Sequence, residues 1–314
     1  MKQADRVIMQ VFQTTLKRSI RLEGIGVHSG AATVVTLHPA PVNHGIIFAR
    51  YDRQGRPVHF PALSRYSRPA DLCTVLTAEG EQKGEGLRVE TIEHIMAALS
   101  ACGLDNVLAE VSAGEVPILD GSAAPYMAAL AAAGIEEQSA KRHYLRIIRP
   151  VAVKAERGAG FAEFCPLGFG AAPAQLFAVE IDFAAKAIGR QKLEFALTPR
   201  YFTDNLAAAR TFGFLAEAEK LRALGLAQGA DEENSVVIDA NGAVMNPQAL
   251  TAPDAFVRHK ALDAVGDTAL LGHPFIGLFR SYLGGHRLNS AAVKALLADK
   301  TAYEIIELTE NRQA

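Results

Sequence analysis

A histidine and two aspartates recur at every fourth position between residues 259 and 267 of the 314-residue chain. They are His259, Asp263 and Asp267, and positions four apart lie on one face of an α-helix. The apolar residues of this stretch would face a core: Val257, Ala261, Leu262, Val265 and Ala269. A His and an Asp one turn apart can bind the same metal ion, although a solvated polar stripe with one chance histidine has the same pattern.

A second candidate group is the pair Glu93-His94, in a short stretch with helical apolar spacing. Its core face would be formed by four residues: Ile92, Ile95, Met96 and Leu99. The other face carries small residues where a free surface would carry lysine and glutamate: Ala97, Ala98 and Ala101. We therefore expect this face to pack closely and to enclose Glu93 and His94. Alternatively, His94 is a buried histidine bonded to a carbonyl group, and the helix dipole favours Glu93 near the N-terminus.

Together, His94, His259 and Asp263 form a set of two histidines and one carboxylate. Three protein ligands leave the fourth zinc position for water, which is the arrangement of catalytic zinc sites, whereas structural sites use four. Glu93 points about 100° away from His94 on a helix, so it would reach that water without binding the metal. The chain lacks a His-Glu-x-x-His motif, and its three cysteines are far apart. An ordinary zincin protease and a thiolate zinc cluster are therefore excluded.

The elements that position these residues can be predicted from capping residues, glycines and prolines. Helices are expected over five ranges: 91–102, 123–133, 203–224, 255–271 and 290–297. Asp254 is the predicted N-cap of the fourth helix, and the limits of the fifth leave His286 in a loop after two glycines. Strands come first and helices later in both parts of the chain, which is typical of an α+β fold.

The chain is longer than a single hydrophobic core usually supports, so two domains are expected. The polar run over residues 136–142 has no apolar periodicity and is the predicted linker. A charged, glycine-rich stretch over residues 78–86 is predicted to be an exposed loop.

Composition excludes several classes of protein. The net charge is −2, and the 32 basic residues form no cluster, which argues against a nucleic-acid binder. No apolar run approaches the length of a membrane span, and the first residues do not form a secretory signal. We therefore expect a cytoplasmic protein without stable membrane insertion, and we expect a monomer.

Six ordered segments carry a resemblance to a known family. They are residues 22–30 (LEGIGVHSG), 91–94 (TIEH), 117–125 (PILDGSAAP), 209–214 (ARTFGF), 256–263 (FVRHKALD) and 285–289 (GHRLN). In these segments the sequence resembles the UDP-3-O-acyl-N-acetylglucosamine deacetylase family, from about residue 13 to residue 308. Six segments in one order are far more specific than any one of them.

The resemblance implies an architecture and an activity. It implies two α+β domains of similar layered architecture, 1–138 and 139–314, in which helices pack against mainly antiparallel sheets and the active site lies at the domain interface. Glu93 and His94 would belong to the first domain. The implied reaction removes acetate from UDP-3-O-(3-hydroxyacyl)-N-acetylglucosamine, the committed step of lipid A synthesis, with Zn²⁺ as cofactor and the acylated UDP-sugar as the binding partner.

The resemblance also implies a role for each site residue. The implied zinc ligands are the set derived above: His94, His259 and Asp263. Glu93 would be the general base, and His286 the general acid with Asp267 as the carboxylate that orients it. Thr211 would donate a hydrogen bond to the oxyanion. Lys260 would lie near the zinc site and the nucleotide diphosphate.

Substrate contacts are implied at two further places. Phe183 resembles the ring that stacks on uracil, and four residues resemble part of the passage for the acyl chain: Leu72, Cys73, Phe212 and Phe214. One departure from the family pattern is Leu283, where a lysine for the diphosphate is expected, and another is the length of the loop over residues 78–86. Two alternatives stay open: a zinc hydrolase of another amide or ester substrate, and a non-enzymatic sugar-nucleotide binder.

Overall fold

The computed structural model describes residues 9–69, 72–78 and 86–309. Most of the predicted loop over residues 78–86 therefore lies outside the described residues. Within the described ranges, no helix combines the length and the apolar character that crossing a lipid bilayer requires.

In its described residues, the first half of the chain has nine β-strands and two α-helices. The strands are β1 (Phe12–Leu16), β2 (Ile20–Ile25), β3 (Ala32–Pro39), β4 (Ile46–Tyr51), β5 (Pro57–Pro61), β6 (Ser67–Pro69), β7 (Thr74–Thr77), β8 (Arg88–Val89) and β9 (Val107–Val111). The helices are α1 (Glu93–Ala101) and α2 (Ala124–Ala133). A five-stranded sheet has the order β2-β3-β9-β4-β5, with β4 and β9 parallel, and β6-β7-β8 form a separate antiparallel sheet.

The polar run over residues 136–142 does not form the predicted linker. Its residues make up most of β10 (Ile135–Lys141), which pairs antiparallel with β1. A two-stranded ribbon leaves much of both faces in water, so its sequence need not alternate between apolar and polar residues. The domain boundary between residues 138 and 139 stays a prediction, and it falls within this strand.

The second half is built around one seven-stranded sheet. The seven strands of this sheet are β11 (His143–Ile147), β12 (Val151–Lys154), β13 (Phe161–Cys165), β14 (Gln175–Asp182), β15 (Arg190–Ala196), β18 (Phe275–Tyr282) and β19 (Tyr303–Glu307). Two further strands, β16 (Phe212–Phe214) and β17 (Val236–Ile238), lie outside it. The buried strand β18 pairs with β13 and β14 along most of its length and with β11 at its start, while β16 and β17 form a small parallel pair. Most strand pairs in the described chain are antiparallel, as predicted.

Four α-helices lie in the described part of the second half, and their limits correct two predictions. They are α3 (Pro199–Tyr201), α4 (Leu215–Ala223), α5 (Ala255–Thr268) and α6 (His286–Ala298). The predicted helix over residues 203–224 is interrupted by β16, whose backbone pairs with β17. Helix α6 begins four residues earlier than predicted, so His286 is its first residue and does not lie in a loop. Asp254 occupies the N-cap position of α5, as predicted, but its carboxylate accepts a hydrogen bond from Arg258 Nε and none from the backbone of the first turn.

Helices α1 and α5 make a close contact between the two halves. A Cβ atom added to Gly266 would lie 2.1 Å from the carbonyl oxygen of Glu93, so only glycine allows this approach. Both faces of α1 are buried, including the alanine face, which confirms the predicted close packing. The contact aligns the start of α1 with the middle of α5, where the candidate ligands lie.

The buried apolar side chains of both halves join in one hydrophobic cluster, which extends in sequence from Leu16 to Ala302. Helices pack on mainly antiparallel sheets within it, and the α+β fold class is confirmed. One continuous core holds the elements from the two halves in fixed relative positions at the candidate site.

Candidate active site

The three candidate metal ligands come together at the contact between α1 and α5. One ligand atom from each of His94, His259 and Asp263 lies within 4.8 Å of the other two. All three residues are between 2% and 4% exposed. The helical spacing of His259 and Asp263 and the packing of α1 therefore produce the set that the sequence predicts.

Both histidines are held in the neutral form that binds metals. His259 Nδ1 lies 3.1 Å from the carbonyl oxygen of Ala209. Because a carbonyl only accepts, Nδ1 carries the proton and Nε2 keeps its lone pair. Burial lowers the pKa of His259. Burial, with the neighbouring His259, lowers the pKa of His94 to about 3.

Asp263 is ionised and incompletely hydrogen-bonded. Although burial raises its pKa, nearby cationic groups, of which Lys260 is hydrogen-bonded to it, hold the pKa of the carboxyl well below its usual range. Lys260 Nζ donates to Oδ2 at 2.9 Å, but Oδ1 is buried without any hydrogen-bond donor among the described residues. The Nε2 atoms of His94 and His259 lie 3.8 and 3.5 Å from that oxygen.

This donor set fits a divalent metal ion. His259 Nε2 and the carboxylate of Asp263 direct lone pairs into the same buried space beside the neutral His94, and these lone pairs repel each other unless a cation is bound. Zinc binds this combination of nitrogen and oxygen ligands at catalytic sites. If this cluster were only a structural network of hydrogen bonds, we would expect Oδ1 of Asp263 to have a donor, and none is found among the described residues.

Glu93 lies beside the ligand set with one oxygen held and one free for chemistry. Its Oε2 accepts a hydrogen bond from the backbone N–H of Thr74 at 2.9 Å. Its Oε1 faces His286 Nε2 at 3.8 Å. Burial raises the pKa of Glu93 to about 7, which suits a group that accepts and releases a proton near neutrality.

His286 and Asp267 form a buried pair at the start of α6. His286 Nδ1 donates to Asp267 Oδ2 at 3.0 Å, and its Nε2 lies 3.8 Å from both Glu93 Oε1 and Asp263 Oδ2. Although burial lowers its pKa, the carboxylates of Asp267, Glu93 and Asp263 raise the pKa of His286 to about 10. These charges also overcome the unfavourable position of a cation at a helix N-terminus. The imidazole is therefore protonated at neutral pH.

A cavity of about 300 Å³ opens next to this cluster. Its wall includes two candidate catalytic residues, one candidate metal ligand and three apolar residues: Glu93, Thr211, His94, Leu72, Phe212 and Phe214. Backbone hydrogen bonds to Gly121 and from Val236 fix Thr211 at the edge of β16. The cavity therefore joins the ionisable cluster to the rings of Phe212 and Phe214.

Comparison with known proteins decides the family. The sequence model of the UDP-3-O-acyl N-acetylglycosamine deacetylase family matches residues 13–298. The chain belongs to this family. Proteins named UDP-3-O-acyl-N-acetylglucosamine deacetylase from Brucella ovis, Brucella canis and Brucella suis are each 46% identical over 302 residues, which cover 95% of this chain and 100% of theirs.

Three more residues implied by the family resemblance lie near the site, one at the ligand set and two outside the cavity wall. Lys260 contacts the ligand carboxylate Asp263 and lies 5.6 Å from the centre of the Phe212 ring. The Phe183 ring packs against those of Phe212 and Phe214 outside the cavity wall. Cys73 is buried and likewise outside that wall, and burial raises the pKa of its thiol. The roles of these residues in substrate binding stay predictions.

Two residues of the cluster were not predicted from the sequence. Thr74 donates its hydroxyl to Asp267 Oδ1 at 2.6 Å, and Asn289 donates its amide to Asp267 Oδ2 at 2.9 Å. Asn289 lies three positions after His286, a helical spacing that would have indicated it if α6 had been predicted to start at His286. Thr74 has no such local signal, because its partner is 193 residues away in sequence.

Proposed function

We propose that this protein is a zinc-dependent deacetylase that removes acetate from UDP-3-O-(3-hydroxyacyl)-N-acetylglucosamine, the committed step of lipid A synthesis. The observation that carries the proposal is the buried set of His94, His259 and Asp263, with one unpartnered carboxylate oxygen, beside Glu93 and His286. The family and the names of its curated members support the substrate. We further propose that it acts as a cytoplasmic monomer.

The proposed chemistry divides among the residues of the cluster. His94, His259 and Asp263 would hold Zn²⁺, which when bound supplies a Lewis acid that polarises a carbonyl group and acidifies water. Glu93 Oε1 accepts a proton as water attacks the amide carbon. His286 Nε2 then donates a proton to the sugar nitrogen as the carbon–nitrogen bond breaks, and acetate leaves.

Two further residues fit the charge that develops in this reaction. The hydroxyl of Thr211 borders the cavity, where it would donate to the carbonyl oxygen as that oxygen becomes negative. Lys260 keeps Asp263 ionised, and its ammonium group would favour the approach of the anionic diphosphate. The half-buried rings of Phe212 and Phe214 provide an apolar wall for the acyl chain.

Acetate release from the acylated UDP-sugar by purified, zinc-loaded protein tests the proposal. The matched control is Glu93→Gln, which keeps the shape of the side chain but cannot accept a proton. We expect the control to retain zinc and a similar KM, with kcat lower by a factor on the order of 10² to 10⁴. Zinc loading without acetate release in the wild type would instead favour a sugar-nucleotide binder, and turnover of other amides alone would favour another hydrolase.

A further inference from the structure

Thr74 contacts both halves of the catalytic cluster. It is the first residue of β7, and it is 3% exposed. Its backbone N–H donates to Glu93 Oε2 at 2.9 Å, and its hydroxyl donates to Asp267 Oδ1 at 2.6 Å. Its carbonyl oxygen accepts from the N–H of Ile92, immediately before α1. The backbone and side-chain polar groups of Thr74 are therefore all bonded to elements of the site.

The direction of the hydroxyl bond is fixed by chemistry. An ionised carboxylate only accepts, so the single hydroxyl hydrogen of Thr74 is given to Asp267. The neighbouring His286 Nδ1, 3.4 Å from the hydroxyl, gives its own hydrogen to the other oxygen of Asp267. Thr74 and Asn289 thus each donate to a different oxygen of Asp267. These two bonds fix the orientation of the carboxylate, and the carboxylate in turn orients the ring of His286.

We propose that Thr74 is a positioning residue for proton transfer, which fixes the general base through its backbone and the carboxylate that orients the general acid through its hydroxyl. This inference rests on the proposed function. Glu93 belongs to the first half of the chain and Asp267 to the second, so one residue sets the separation of the two proton-transfer groups. Without the hydroxyl, Asp267 Oδ1 loses its donor while Oδ2 stays bonded to Asn289 and His286, so the carboxylate directs His286 Nε2 less firmly toward the leaving nitrogen.

Substitution of the hydroxyl alone tests this role. Thr74→Val keeps the backbone N–H and the shape of the side chain but removes the donor to Asp267, whereas Thr74→Ser keeps the donor. Thr77→Val is the matched control, because Thr77 lies on the same strand and its hydroxyl donates to the carbonyl oxygen of Tyr66 at 3.3 Å. Zinc content, kcat and KM are measured for each variant on the acylated UDP-sugar.

We expect Thr74→Val to lower kcat about tenfold, the effect of losing one hydrogen bond to a charged group, with KM and zinc content unchanged. Thr74→Ser should recover most of kcat, and Thr77→Val should match the wild type. In an Asp267→Ala background, Thr74→Val should have little further effect, because its acceptor is gone.

Each contrary result has a separate meaning. An active wild type with unchanged kcat in Thr74→Val would overturn the positioning role and leave the proposed function standing. Equal losses in Thr74→Val and Thr74→Ser, or a full tenfold loss in the Asp267→Ala background, would also overturn it. A zinc-loaded but inactive wild type would overturn the proposed function, and the role of Thr74 with it.

Discussion

Two aspartates one turn apart on α5 are equally buried but differ in the hydrogen-bond donors around their carboxylates. Asp263 and Asp267 are each 2% exposed. Asp267 accepts hydrogen bonds from Thr74, Asn289 and His286, and both of its oxygens are satisfied. Asp263 accepts one bond from Lys260, whereas its Oδ1 faces two neutral histidines and has no donor in the part of the chain that the structure describes.

The difference shows how one residue type serves two purposes on one helix face. At Asp267 the protein itself supplies every donor, so the carboxylate is complete without a ligand and can orient a proton donor. At Asp263 the neighbouring histidine nitrogens bring lone pairs and no hydrogens, so the carboxylate needs a cation. The identity of the neighbours, and not burial, distinguishes the two roles.

The largest expected effect separates the two aspartates directly. Asp263→Ala should lose most bound zinc and all measurable deacetylation, because one of three ligands is gone. Asp267→Ala should keep its zinc and lose only part of its activity. Metal content after dialysis, measured alongside acetate release, checks both expectations.

Thermal unfolding gives an independent readout of the same comparison. Added zinc should raise the Tm of the wild type and of Asp267→Ala, because a ligand that binds only the folded state stabilises it. The Tm of Asp263→Ala should not respond. Full zinc occupancy in Asp263→Ala would contradict the assignment of the metal ligands.

A smaller effect concerns the pH dependence of kcat/KM. The rate should rise with pH through the Glu93 pKa of about 7, because the base must be deprotonated, and fall through the His286 pKa of about 10, because the acid must be protonated. Asp267→Asn removes a carboxylate that raises the His286 pKa, so the basic limb should move to lower pH, and kcat near neutrality should fall on the order of 10- to 100-fold.

The matched variant for this profile is His286→Ala, which should flatten the basic limb while zinc content stays intact. A basic limb that is unchanged in His286→Ala would show that another group donates the proton. An acidic limb that persists in Glu93→Gln would remove Glu93 from the role of base.

The smallest effect lies in the aromatic wall of the cavity, away from both aspartates. Phe212→Ala or Phe214→Ala should lower kcat/KM for a long-chain substrate about tenfold more than for a short-chain analogue, since each half-buried ring contributes only part of its burial energy. Phe169→Ala is the control, because that ring is fully exposed. Equal losses on both substrates would exclude a role in binding the acyl chain.

The sequence predicts the parts of the site that depend on local periodicity. His259, Asp263 and Asp267 follow one helical face, and the alanines near His94 indicate a tightly packed partner. These features depend on spacings of a few residues, which can be recognised without knowing the tertiary structure.

The rest of the structure depends on contacts that spacing does not encode. The strand β10 has a polar sequence because its ribbon is exposed, so its pairing with β1 has no apolar signature. The start of α6 follows two glycines and has no side-chain cap, which conceals the position of His286. Thr74 and Asp267 meet only through the packing of β7 against the cluster, across the two halves of the chain.

Gly266 lies between the two aspartates and touches the carbonyl oxygen of Glu93 through backbone atoms alone. A side chain can change its rotamer, but a direct contact between two backbones fixes the distance between them. The distance between the proposed general base and the proposed metal ligands therefore depends on the absence of a side chain at Gly266. A substituent at this position would separate the base from the ligands while leaving each of them chemically intact, and it would inactivate the enzyme through geometry alone.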